Sequence, residues 1–125
     1  MGTSDGSFSQ SGGQQGVRFC DITDGLSNTL MVGEKHVPLG QFGQGPLDSS
    51  AYNGDVFTSH ARPAGPDYPL AKSVTDTSPV FGSYHTTAVQ FGFCDGRVQA
   101  LQRNIDPKIL GLLACRNDGQ PIPDY

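Results

Sequence analysis

Apolar and polar positions alternate most regularly over residues 87–101, where Val89, Phe91 and Phe93 precede Asp95-Gly96 and Val98, Ala100 and Leu101 follow it. An Asp-Gly pair between two such runs predicts a two-residue type I′ hairpin, which needs positive φ at both central positions. That turn pairs Cys94 with Arg97, Phe93 with Val98 and Phe91 with Ala100. It puts Val89, Phe91, Phe93, Val98 and Ala100 on one face. The apolar, partly β-branched run 29–37 predicts a buried strand that becomes polar at its end. Residues 17–20 (Val-Arg-Phe-Cys) alternate as a short strand, and residues 52–59 suggest another.

Helix signals are short. Asp24, followed by Gly25, Leu26, Ser27 and Asn28, predicts a capped turn of helix near 24–28, with Asp24 as N-cap. Asp106-Pro107 predicts a helix over 106–114, with Asp106 as N-cap and Pro107 at its favoured first position. Ile109, Leu110, Leu112 and Leu113 give it an apolar face. Between residues 38 and 79 stand six prolines and several glycines, so this stretch reads as long loop carrying a variable or interacting surface. Residues 1–16 are rich in Gly, Ser and Gln without an apolar period and read as a flexible arm. The remainder, 17–125, reads as a single domain. The expected class is α+β, mainly β: an antiparallel sheet with long Pro/Gly-rich loops and two short helices.

Composition supports this reading. The 125 residues include 17 Gly and 9 Pro, which long helices do not tolerate, since each Gly costs about 1 kcal/mol and each Pro about 3 kcal/mol in a helix interior. The net charge is −4, and the eight Lys and Arg are scattered. No basic stripe exists to neutralise phosphates, which argues against nucleic acid and polybasic membrane binding. No apolar run reaches membrane-spanning length. Residues 2–16 are polar and form no signal peptide, so the chain is expected to be cytosolic or to have lost a targeting segment.

Candidate chemistry is sparse. Cys20, Cys94 and Cys115 show no zinc-ligand spacing; they fit either one disulfide with a buried thiol or three buried thiols. His36, His60 and Lys35 lack partners at ligand or phosphate-loop spacing and read as surface or turn residues. Asp24, Asn28, Asn53, Asp55, Asp95, Asn117 and Asp118 are oxygen donors of the kind calcium prefers, but they follow no EF-hand spacing and suit turns equally. No cofactor is expected, with calcium as the alternative. His85 and Asp95 invite an acid–base reading, yet along one straight strand ten residues span roughly 33 Å. The expectation is therefore that His85 serves a turn and Asp95 the hairpin, with no catalytic residues.

Three segments together resemble a known family: VRFCDITDGLSNTLMVGEKHV (17–37), YNGD (52–55), and His85 followed after nine residues by Asp95-Gly96. They resemble a large domain-of-unknown-function family of planctomycete-type bacteria, which has a prepilin-type N-terminal segment and a C-terminal H-x9-DG motif. On that resemblance His85, Asp95, Gly96, Asp24, Gly25, Ser27 and Asn28 are motif residues with a structural role. The resemblance implies a pilin-like globular domain lacking the long N-terminal helix. It implies an exported, extracellular or cell-surface protein assembling with itself or related pilin-like subunits in a filament or secretion pseudopilus. It implies no enzymatic activity. For the filament reading Phe81, Tyr84, Tyr52 and Tyr68 are candidate exposed contacts; the alternative is an envelope-displayed glycan- or calcium-binding module using loop aromatics with Asn and Asp.

Overall fold

The computed structural model describes residues 16–50 and 57–125. Three strands form one antiparallel sheet in the order β1 (Leu30–Gly33), β2 (Ala88–Phe93) and β3 (Val98–Gln102). Two helices accompany them, α1 (Phe57–His60) and α2 (Pro107–Ala114). The α+β, mainly β expectation holds.

The inward face of β2 carries Val89, Phe91 and Phe93, all buried. Leu30 from β1, Leu101 from β3, and Leu110 and Leu113 from α2 complete the core with Leu70. The start of α2 is as expected: the Asp106 carboxylate accepts a hydrogen bond from Lys108 N at 2.8 Å, and Pro107 occupies the first turn. Gly33 lies against the Phe91 and Phe81 rings, which meet edge to face at 5.3 Å.

The hairpin differs from its expected form by one residue. Phe93 N donates to Arg97 O at 2.8 Å, and Gly96 N donates to Phe93 O at 3.0 Å. The loop is thus three residues, Cys94-Asp95-Gly96, with φ of 88° at Gly96 and no positive φ at Asp95. Asp95 instead accepts from Arg97 N through its side chain at 2.9 Å, an Asx turn that holds it at ordinary φ. Gly92 therefore faces Val98, and Gln90 faces Ala100. A one-residue slip exchanges faces, so Val98 and Ala100 leave the core for the solvent face.

Other local expectations are corrected. Residues 17–20 form no strand: Phe19–Asp21 is a 3-10 turn, because Arg18 closes onto Asp21 through its backbone N–H and its guanidinium, both at 2.9 Å. That pairing lowers the Asp21 carboxyl to about 2. Leu26–Asn28 is a 3-10 turn whose N-cap is Gly25, with no side-chain cap from Asp24. The strand within 29–37 is shorter than expected, and Met31 and Val32 are exposed because a bulge sits between Leu30 and Val32. Residues 57–59, expected in a strand, belong to α1. The expectations for the arm, for YNGD, for Tyr52, and for Asn53 and Asp55 fall mainly outside the described residues. No disulfide joins the cysteines. Cys94 and Cys115 are buried, but Cys20 is exposed, so three buried thiols is also incorrect.

Candidate functional site

The motif residues separate into two places. The segment carrying Asp24, Gly25, Ser27 and Asn28 meets the Asp95-Gly96 turn at one end of β2, through Leu26, Ser27 and Thr29. Cys94 N donates to Thr29 O at 2.9 Å, Asp95 N to Leu26 O at 3.1 Å, and Arg97 Nη2 to Ser27 O at 2.7 Å. The Arg97 guanidinium lies 4.2 Å from the centre of the Phe93 ring, a cation–π contact that fixes the turn over the core. Thr29 Oγ1 and Asn28 Nδ2 bond back to Gly25 O and Asp24 O.

Asp24 is the hub of this clasp. Its carboxylate accepts from Asp118 N at 2.8 Å and Gly119 N at 2.9 Å, while its own N–H donates to Arg116 O at 3.1 Å. A carboxylate receiving two backbone N–H groups forms charge-assisted bonds, stronger than neutral ones. Asp24→Ala is expected to cost about 1–2 kcal/mol and to release the chain after Arg116. Thermal unfolding and limited proteolysis check this; the C-terminal segment should be cut first.

His85 lies beyond the other end of the six-residue β2, which is roughly 20 Å long. It does not meet Asp95. Its ring Nε2 is 3.9 Å from Glu34 Oε1 of the same chain, and the side chain is largely exposed. Glu34 Oε2 accepts from Gln90 N at 2.6 Å. Arg103 Nη2 donates to Ser83 O at 2.7 Å and to His85 O at 2.5 Å, and His85 N donates to Ser83 Oγ at 2.9 Å. His85 thus belongs to a turn locked onto β3's end, with its imidazole beside a carboxylate at the surface.

Two cations that sequence reasoning placed at the surface, or did not single out, organise the proline-rich stretch. Arg62 is only 6% exposed. Its guanidinium donates to the carbonyls of Thr58, Ala61 (3.0 Å), His36 (3.2 Å) and Leu47 (2.8 Å). Desolvation lowers its pKa, partly offset by the Asp48 carboxylate. Lys35 Nζ contacts Asp48 Oδ1 at 2.8 Å, Ser59 O at 2.9 Å and Ser49 O at 3.1 Å. His36 is also buried, with Nε2 at 2.8 Å from Asp76 O and Nδ1 buried without a partner. No local pattern marks such residues, because each also binds at least one carbonyl distant in sequence.

Asp48 is held below the usual carboxylate range, first by the Gly43 N–H at 2.7 Å and then by Lys35. A depressed folded pKa contributes stability that is complete above the unfolded value, about 3.9, and is lost as pH falls through the lower folded value. Acid titration by circular dichroism should therefore show a destabilising step below about pH 4 that Asp48→Asn diminishes.

Beside these cations a cleft of ≈ 440 Å³ is lined by Gly43, Pro46, Asp48, Ser49, Ser50 and Ser59 among others. Phe42 and Tyr84 are exposed with ring centres 5.6 Å apart, and Tyr84 is anchored by its hydroxyl to Val37 O at 2.9 Å. Of the other expected exposed aromatics, Phe81 and Tyr68 are half-buried. Among the described residues no three His, Cys, Asp or Glu gather as a metal site, and no helix is long and apolar enough to cross a membrane.

A family model described as Protein of unknown function (DUF1559) matches residues 1–108, most of the chain. The chain belongs to this DUF1559 family. The clasp and the His85 turn both fall within the matched residues, apart from the 116–119 backbone that Asp24 holds. No curated protein and no solved structure matches the chain.

Proposed function

We propose that this DUF1559 chain is a non-enzymatic structural subunit of an extracellular pilus-like filament or secretion pseudopilus, assembling through its globular domain. The observation that carries the proposal is the open face of the sheet. One face packs on α2 and the core; on the other, Val32, Gly92 and Val98 form a row across all three strands. Val32 is 56% and Val98 70% exposed, and around them stand Gln90, Ala100 and Gln102, with no charge among these six. These six positions carry no charge, and the Glu34 carboxylate at their margin is held by Gln90 N, so a face with exposed valines suits a packing surface. The resemblance to prepilin-type proteins carrying an H-x9-DG motif supports the same reading, as does the use of Asp24, Ser27, Asn28 and Asp95 in backbone bonding. Related pilin-like subunits are equally suitable partners. Electron microscopy of native material tests the proposal: filaments containing the chain are expected, and strictly single particles at high concentration count against it.

A second reading is favoured by Phe42, which precedes the cleft-lining Gly43, and Tyr84, whose ring meets Phe42 at 5.6 Å. Two exposed rings next to hydroxyls and a carboxylate suit a glycan on the cell envelope. A thermal shift with oligosaccharides, abolished by Phe42→Ala, would support this module, whereas its absence leaves the rings as packing surface.

A further inference from the structure

The two edges of the sheet are not alike. Beyond β1 the chain is covered: His36 N donates to Val80 O, Gly82 N donates to Glu34 O, and Lys35 bridges to Phe81. The bulge in β1 further irregularises that side. β3 is regular and carries Val-Gln-Ala-Leu-Gln, without charge, proline or bulge. Natural edges are usually blunted by such devices.

The pairing with β2 fixes which groups face outward. Phe93 with Arg97, and Thr87 with Arg103, are hydrogen-bonded pairs. By alternation Gln99 and Leu101 bond to β2, while Val98, Ala100 and Gln102 direct their N–H and C=O away from it. Gln102 O is already taken by Ile105 N at 3.0 Å. Val98 and Ala100 therefore each present both an N–H and a C=O, with no partner among the described residues.

We infer that β3 pairs antiparallel with β3 of a second copy, about a two-fold axis through Gln99. Only this axis sets Val98 opposite Ala100 of the other copy and Ala100 opposite Val98, so that all four free groups on each strand are used. Charge favours the same register. An axis through Ala100 opposes Arg97 to Arg103, a like-charge contact, in both halves. The axis through Gln99 opposes Arg97 to Leu101, so no like charges stand directly opposite each other. The two sheets become one of six strands, and the exposed Val98 is covered by its neighbour across the axis. The contact is isologous and closes at two copies. It rests on the proposed association through the globular domain and adds its geometry; further growth requires a second surface, such as the Val32 side of the sheet.

Gln99 meets its own copy at a non-hydrogen-bonded position, where Cα atoms lie about 4.5 Å apart, within the range a disulfide spans. In a Cys20→Ser background, Gln99→Cys is expected to oxidise to a covalent dimer on the order of ten times faster than Gln102→Cys, which faces Gly96 of the other copy. Light scattering of the unmodified chain at low concentration, before the second surface engages, should show two copies. Ala100→Pro, which removes only an outward N–H, should give one copy with its thermal transition retained. Equal crosslinking at both positions, or a single copy at high concentration, overturns the inference. Filaments seen without Gln99→Cys crosslinking would overturn the edge pairing and leave the filament reading. Crosslinked dimers without filaments would do the reverse.

Discussion

Arg62→Met is expected to lower the stability of the domain by about 3 kcal/mol or more, among the largest effects of any single polar substitution. Four carbonyls, from His36, Leu47, Thr58 and Ala61, converge on this guanidinium. Removing it leaves buried acceptors unsatisfied, at about 1–3 kcal/mol each before the loop relaxes toward water. A loss of about 3 kcal/mol corresponds to a fall in Tm on the order of 10 °C for a domain of this size. Arg62→Lys should recover little, because a compact ammonium with three donors cannot span a planar fork's four acceptors. Differential scanning calorimetry of both variants checks the expectation. A Tm within a degree or two of the parent would mean that the proline-rich stretch is held by something other than this cation.

The second large effect is expected at Gly33. Its backbone lies so close to the Phe91 ring that a methyl group there overlaps Cε1 and Cδ1, with Phe81 Cδ1 at 3.0 Å on another side. Phe91 is the fully buried centre of the sheet's inner face and Phe81 packs edge-on against it, so neither ring moves cheaply. Gly33→Ala should cost about 1–3 kcal/mol through overpacking, and Gly33→Val more. Gly33→Ala combined with Phe91→Leu should recover part of the loss, since a smaller side chain makes room. Urea titration of the single and double variants measures this coupling.

The helix at Pro107–Ala114 could be read because its signals are local: an N-cap Asp, a first-turn Pro and an apolar face within eight residues. The hairpin was legible in position but not in register. Asp-Gly suits a two-residue turn, but the Asp95 carboxylate binds Arg97 N and leaves positive φ to Gly96 alone. One added loop residue carried Val98 and Ala100 from the expected core to the open face on which the functional proposal rests. The clasp residues were identified, but not their joining: Asp24 reaches Asp118 and Gly119 across most of the chain, a contact no local pattern encodes. Lys35, His36 and Arg62 were hidden for a similar reason, since each reaches at least one partner more than ten residues away in the chain.

The measurement that bears most directly on the central claim is sedimentation velocity of the chain over rising concentration, beside Val32→Asp. Val32 sits on the open sheet face but away from the β3 edge, so the substitution charges that face alone. Growth of the parent into species larger than two copies, with Val32→Asp stopping at smaller species and melting at the parent's temperature, is the predicted outcome. A parent chain that stays a single copy throughout, or a Val32→Asp variant that assembles as the parent does, contradicts assembly through this face.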